Sequence, residues 1–421
     1  MKIYTQAQIK NGLTRPSVRD NQEINQQVKN IIQQVQQSGD VALRELTLKL
    51  DGVQLSVIAS TAAQPRLEPK AQQAIDIAYH NIHAFHKAQI LPKIKVETTP
   101  GVICEKITRP IQSIGLYIPG GTAPLISTTL MLGVPAQIAG NPNKILCTPP
   151  NKSGQIDPHI LYAAQLCGID TIYTLGGAQA IAAMAYGTQT IAKVDKIFGP
   201  GNAYVTAAKQ YVAQDPNGAA IDLPAGPSEV LVIADDAANP TYVAADLLSQ
   251  AEHGIDSQVI LICLSNTFAE KLQKELERLL MQLPRSEIAK QSLSHSAIII
   301  ADDLNQAVEI SNQYAPEHLI IQTHHARDLL SLVTRAGSVF LGAYAPESVG
   351  DYASGTNHVL PTYGYARSYS GLNLNDFMLH MSVQELTKQG LQTIGPHVEV
   401  LAGLEGLDAH ALAVKVRLQD K

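Results

Sequence analysis

The chain has 421 residues, 45% of them hydrophobic and 16% charged, with a formal net charge of -6 and a pI near 6.1. That length suits roughly two to three domains with sizeable cores, and the mild acidity excludes the basic surfaces that hold nucleic acid or anionic lipid. No apolar run approaches the roughly 18 residues of a membrane span, and "MKIYTQAQIKNGLTRP" has no signal-like apolar core; a cytoplasmic protein acting on small molecules is expected, with no nucleic-acid and no membrane partner.

Ile24, Val28, Ile31, Ile32 and Val35 recur at helical spacing and predict a first helix that Gly39 stops. A longer helix is predicted from about residue 67, with Pro69 in its first turn. It carries "AYHNIHAFHK", in which His80, His83 and His86 recur every three residues. Each such step falls about 60° short of a full turn, so the rings spread over roughly 120° of the helix. With no carboxylate or cysteine beside them, they read as surface or packing histidines and not as a metal site.

After "VICEKITRPI" strands and helices alternate. The strand candidates are "IGLYIP", "NKILCTP", "TIYTLG", "DKIFGP", "SEVLVIAD", "QVILICLS", "SAIIIAD", "HLIIQT" and "GSVFLG", most of them separated by helical stretches. This predicts an α/β protein with largely parallel sheets covered on both faces. There are too many strands for one small sheet, so two Rossmann-like sheets are expected, with the break near "IGLYIPGG" and the return near "LPAGPSEVL". The expected division is an N-terminal extension 1–20, a first Rossmann-like domain from 21–115 and 230–372, a second from 116–229, and a C-terminal extension 373–421. Residues 342–372 lose all periodicity, and a loop that long inside a compact protein is usually functional. The apolar C-terminal piece is short for a core of its own and is expected to pack on the main body or on a partner subunit.

Chemistry-bearing motifs are individually modest. Cys104, Cys147, Cys167 and Cys263 lack CxxC spacing and read as reduced core thiols. "LGGAQAIAA" and "FGPGNAYV" each place glycines before a helix, where a phosphate can be held, but no GxGxxG is present and strand-to-helix turns need glycine for steric reasons alone. In "YAPEHL", Pro316 biases Ala315 away from helix, so Glu317 and His318 fall at the mouth of a strand. Side by side they are either a pair of proton acceptors or a salt bridge beside a buried histidine. In "LLSQAEHG", Gln250 shares the inward stripe of Val243 and Leu247, and His253 follows in the last turn with Gly254 as a cap. A buried amide without partners costs roughly 1–3 kcal/mol. Gln250 and His253 are at most half a zinc site, which Asp351 and His410 could complete, although their spacing alone does not show it.

The ordered set "GLYIPGGTAPLISTTLMLGVPAQIAG", "TLGGAQAIAAMAYGT", "FGPGNAYVTAAK", "LPAGPSEVLVIAD", "LLSQAEHGIDSQVIL", "YAPEHL", "SVGDYASGTNHVLPT" and "GLEGLDAHALAVKVR" resembles the histidinol dehydrogenase family along nearly the whole chain. The resemblance implies incomplete, aldehyde-dehydrogenase-like Rossmann domains whose small terminal extensions exchange in a homodimer. It also implies one Zn2+ per subunit and two NAD-dependent oxidations, from L-histidinol through L-histidinal to L-histidine. By motif, it implies zinc ligands Gln250, His253, Asp351 and His410; substrate contacts at these and at Ser228, His318 and Glu405; and NAD contacts at Tyr117, Gln179 and Asn202. Glu405 and His410 would act in trans. Glu317 and His318 are the implied catalytic pair, His318 taking the hydroxyl proton and Glu317 activating the water that hydrates the aldehyde. Two other readings compete: an aldehyde dehydrogenase with a cysteine nucleophile, which two such sheets also suit, and a zinc-stabilised binding protein without catalysis.

Overall fold

The structure is a computed structural model that describes residues 1–9, 13–16, 22–55, 59–61, 65–120, 124–224 and 226–419. Residues 121–123 of the expected break, Ala225 of the return, and 10–12 and 17–20 of the N-terminal extension lie outside the described residues.

Two six-stranded sheets carry the fold, as the alternating pattern predicts. The first runs in the order Lys2–Thr5, Ala297–Ile300, Gln258–Cys263, Glu229–Ala234, His318–Gln322, Ser338–Leu341, with every pair parallel. Its central strands "EVLVIA", "QVILIC" and "HLIIQ" are buried at every position. Side chains alternate between faces along a strand. Val230, Val232 and Ala234 therefore pack on one side against Val243, Leu247 and Leu272, and Leu231 and Ile233 on the other against Val308. Helices on both faces explain why these strands read as continuous apolar runs. The helices after three of these strands are started by a side-chain cap: Asn239 accepts from Thr241 N, Ser265 from Phe268 N, and Asp303 from Gln306 N.

The second sheet has the order Ala59–Thr61, Thr171–Thr174, Asn143–Thr148, Ser113–Tyr117, Lys196–Phe198, Ala220–Ile221. All its pairs are parallel except the one between Ala59–Thr61 and Thr171–Thr174.

The grouping of 21–115 with 230–372 is corrected. Val28, Ile32 and Val35 of the helix Gln22–Ser38 share one core with Ile181 and Ile197, and Ile75 and Ile82 of Pro69–Lys87 pack with Ile114 and Leu116, so these helices cover the second sheet. Periodicity shows which face of a helix is apolar but not which sheet receives it. Residues 2–5 of the expected N-terminal extension form an edge strand of the first sheet.

A third, antiparallel sheet projects from the body: Met378–Leu386 pairs with Val102–Pro110, which pairs with Ile94–Thr99. The helices Lys388–Leu404 and Asp408–Gln419 follow it, and the latter has no buried residue. Leu401, Leu404, Leu412 and Val416 are exposed on them. Among the described residues no helix is long and apolar enough to cross a membrane.

His86 is buried, with Nδ1 2.8 Å from the Ile82 carbonyl and Nε2 3.2 Å from Asn357 Nδ2, while His80 and His83 are not. The triplet serves packing and surface roles, as its angular spread requires.

Candidate functional site

The helix Pro240–Ala251 brings Gln250 under the first sheet, on the stripe of Val243 and Leu247, and buries it. It ends two residues earlier than its sequence predicts: Glu252 is the cap in place of Gly254, and His253, exposed in the following turn, donates its N–H to the Gln250 carbonyl at 3.2 Å. Gly254 has no left-handed φ and caps nothing.

Glu317 and His318 stand at the amino-terminal mouth of the strand His318–Gln322, both buried. The turn that places them has Ala315 at φ 56, a left-handed conformation rarely taken by a residue with a Cβ. Glu317 Oε2 accepts the Glu229 N–H at 2.8 Å, one rung beyond the Val230–His318 pair of the sheet. His318 Nδ1 lies 2.9 Å from Gln250 Nε2 and 3.1 Å from the Glu229 carbonyl. His318 Nε2 lies 3.4 Å from Asp351 Oδ1, outside hydrogen-bond geometry. Burial opposes charge on His318, but the Glu317 carboxylate, Asp351 and Glu347 outweigh it and raise the imidazole pKa well above its ordinary value. A divalent cation bound beside the ring would oppose that rise.

Asp351 is not in an irregular loop; it sits in the short helix Glu347–Tyr352, which the glycine- and tyrosine-rich composition hid. Burial pushes its pKa up, but His318, His358 and His253 win and hold it below the usual carboxylate value. His358, not singled out from the sequence, ties this helix to the second sheet's helix Ile126–Ala139: its Nδ1 is 2.8 Å from the Asp351 carbonyl and its Nε2 3.1 Å from Thr128 Oγ1. Ser228 precedes the strand Glu229–Ala234 and is partly buried.

Tyr117, Gln179 and Asn202 stand at the carboxyl ends of the second sheet's strands, where open α/β sheets bind ligands. Tyr117 is the last residue of its strand; its buried hydroxyl accepts the Gly177 N–H at 3.1 Å, and burial pushes its pKa up to about 12. Gln179 is buried in the first turn of Gly177–Tyr186, and its Oε1 has no hydrogen-bond partner among the described residues. Asn202 caps Ala203–Gln214. The steric reading of "FGPGNAYV" also holds, since a Cβ on Gly199 (φ +123) would come within 2.1 Å of the Tyr117 carbonyl oxygen.

Glu405 and His410 are not brought to this centre within one chain; both are exposed on the C-terminal helical pair. Asp408 is the first residue of its helix, and His410 is in the first turn. Among the described residues no three His, Cys, Asp or Glu side chains converge to hold a metal. The expected set contributes only two of those types from one chain, His253 and Asp351, with an amide oxygen from Gln250. That oxygen is buried without a hydrogen-bond partner, as is His318 Nε2. A cation ligated by Gln250 Oε1 would satisfy an atom that otherwise costs free energy to bury, and in that respect the residues present fit a bound zinc ion.

The chain matches the family model described as Histidinol dehydrogenase over residues 14–418. The chain belongs to the histidinol dehydrogenase family. It is 58% identical to the histidinol dehydrogenase of Campylobacter jejuni (strain RM1221) over 413 residues, which cover 97% of this chain and 96% of that protein. The crystal structure of histidinol dehydrogenase from Elizabethkingia anophelis superposes with a TM-score of 0.96 at 50% identity, covering 100% of this chain and 98% of that one. Membership of this family makes the chain an NAD-dependent oxidoreductase of histidine biosynthesis. A methylmalonate-semialdehyde dehydrogenase from Oceanimonas doudoroffii aligns over 88% of this chain and 87% of that one, with a TM-score of 0.50 and 13% identity. That likeness concerns the fold alone, and agrees with the aldehyde-dehydrogenase-like domains that the family resemblance implies. Histidinol dehydrogenase membership does not favour either of the two rival readings.

Proposed function

We propose that one zinc ion per subunit is held by Gln250, His253 and Asp351 together with His410 from a second copy of the chain, in a cytoplasmic homodimer that binds L-histidinol and L-histidinal. The observation that carries this reading is the buried, unpartnered Gln250 Oε1 beside the catalytic histidine. The exposed leucines of the C-terminal helices support a partner subunit that covers them and draws in Glu405 and His410.

Zinc, when bound, supplies an anchor for the imidazole and amine nitrogens of histidinol. NAD, when bound near Tyr117, Gln179 and Asn202, supplies the hydride acceptor. The chain's own side chains do the rest. His318, its Nδ1–H donated to the Glu229 carbonyl, exchanges protons with the substrate hydroxyl at Nε2. Glu317, oriented by the Glu229 N–H, removes a proton from the water that hydrates the aldehyde before its oxidation. Ser228 and Glu405 contact the substrate, which fixes its orientation for both steps.

The test is NAD reduction with L-histidinol before and after zinc is stripped by a chelator. Turnover should vanish and return on adding zinc; undiminished turnover by protein proven free of metal would end the zinc assignment.

A further inference from the structure

One buried ion pair lies directly behind the catalytic residues. Arg15 reaches from residues 13–16 to the Glu229 carboxylate: its Nε hydrogen-bonds Glu229 Oε1, and its NH2 group lies 3.1 Å from Oε2. Both side chains are nearly inaccessible, at 11% and 3%. The same guanidinium donates to the Tyr314 carbonyl at 2.8 Å and the Ala315 carbonyl at 3.3 Å, and stacks 3.8 Å over the Tyr314 ring. Its neighbours are pinned on either side: the Thr14 carbonyl accepts from Gln258 Nε2, and the Pro16 carbonyl from the Tyr363 hydroxyl.

Stability alone is a poor account of this pair, because the desolvation of two charges can cancel their attraction. Its placement offers a better one. Glu229 is a hub whose side chain is held by Arg15 while its peptide groups hold the site. Its N–H orients Glu317, and its carbonyl faces His318 Nδ1 at 3.1 Å and Gln250 Nε2 at 3.4 Å. A second observation converges on the same place. Ala315 and Tyr363 are the two non-glycine residues with positive φ among the described residues. Both touch this pair, for Ala315 gives its carbonyl to Arg15 and Tyr363 donates its N–H to Glu229 Oε1 at 3.1 Å. Strained backbone persists where its surroundings over-determine it, and it gathers at functional sites.

We propose that Arg15 is a positioning residue for the reaction: through the Glu229 carboxylate and the Ala315 carbonyl it fixes the strand mouth from which Glu317 and His318 act. The inference rests on the proposed roles of Glu317 and His318. The fork matters as well as the charge, since one planar guanidinium serves a carboxylate and two carbonyls at once and an ammonium cannot.

The experiment is steady-state turnover of Arg15→Ala and Arg15→Lys with L-histidinol, accompanied by melting temperature and bound zinc per subunit. Displacing a catalytic group by about 1 Å costs on the order of 100-fold in rate. Arg15→Ala is therefore expected to lose about 10- to 100-fold in kcat with KM little changed, and added guanidinium chloride should restore part of it where methylammonium chloride does not. Wild-type kcat, an effect on KM alone, or a kcat loss that guanidinium leaves untouched in folded, zinc-loaded protein would overturn the proposal. Should Arg15→Ala fail to fold, Glu229→Gln preserves shape and decides in its place: a kcat loss at constant KM supports the proposal and wild-type kcat overturns it. Glu317→Gln and His318→Asn run in parallel. If these two turn over normally the catalytic assignment itself has failed, whereas an inactive Glu317→Gln beside a fully active Arg15→Ala sinks only the positioning role.

Discussion

The amide nitrogen of Gln250 lies 2.9 Å from Nδ1 of His318, and the atoms these two side chains present outward, Gln250 Oε1 and His318 Nε2, are both buried without a hydrogen-bond partner. Each side chain keeps one buried polar atom without a hydrogen bond, His318 Nε2 lying 3.4 Å from Asp351 Oδ1. An amide oxygen and an imidazole nitrogen suit a cation and a substrate proton respectively.

Gln250→Ala removes that oxygen, so zinc affinity should fall at least about 10-fold, the loss typical even of outer-shell partners. Competition with a chromophoric chelator measures it. Unchanged affinity in a folded variant would remove Gln250 from the metal site.

Much of this was legible in the sequence, and what was not has a common cause. Gln250 betrayed itself because a helix stripe is a local property, readable from Val243 and Leu247 alone. Glu317 and His318 were placed at a strand mouth because Pro316 acts on its immediate neighbour. Glu229 was missed: a carboxylate opening an apolar strand looks like a solvent-facing end, and its partner Arg15 is 214 residues away. The helices before residue 88 are illegible in the same way, since their apolar faces fit either sheet and only packing shows that they cover the second. Where a contact is set by tertiary approach alone, no periodicity records it. The proposed ligand set comes from the family motifs, and neither spacing nor one chain's geometry assembles it, because His410 sits on an exposed helix.

If His410 acts across a two-fold interface, inactive His410→Ala and inactive His318→Ala proteins should complement when mixed under subunit exchange. Half of the dimers are then mixed, and each has one intact site, so about one quarter of the wild-type rate should return. No recovery despite demonstrated exchange would place the whole site within one chain.

Glu317→Gln keeps a carbonyl oxygen for the Glu229 N–H but loses the ability to take a proton. Removing a general base typically costs 100-fold or more, so L-histidinal oxidation should fall by about 100-fold, with a smaller loss in the alcohol step that His318 serves. Stopped-flow traces started from each substrate separate the two; equal losses would dissolve the division of roles.

Thiol chemistry should be dispensable. Cys147, Cys167 and Cys263 are buried, and burial pushes all three thiols up, Cys263 to about 11, far from the low values of reactive nucleophiles. The partly exposed Cys104 lies on the projecting sheet. Iodoacetamide applied to the native enzyme should leave turnover unchanged, and stoichiometric inactivation by alkylation at one cysteine would revive a nucleophilic role.

Asp246 gives the pH dependence of stability. It is buried on the helix Pro240–Ala251, four residues before Gln250, and accepts from Gln322 Nε2 at 2.7 Å. Burial raises its pKa to about 7 against the lowering effect of that hydrogen bond. The folded chain therefore holds the proton more tightly than the unfolded chain, whose aspartate titrates near 4. Its contribution to stability is full below pH 4, is lost as pH rises to about 7, and stays lost above that. Zinc-free protein should melt at progressively lower temperature from pH 5 to pH 7 on this account. Asp246→Asn leaves an oxygen for Gln322 and has nothing to ionise, so its profile should be flatter over that window. A variant whose melting temperature follows the wild-type slope would show that Asp246 stays ionised in the folded chain.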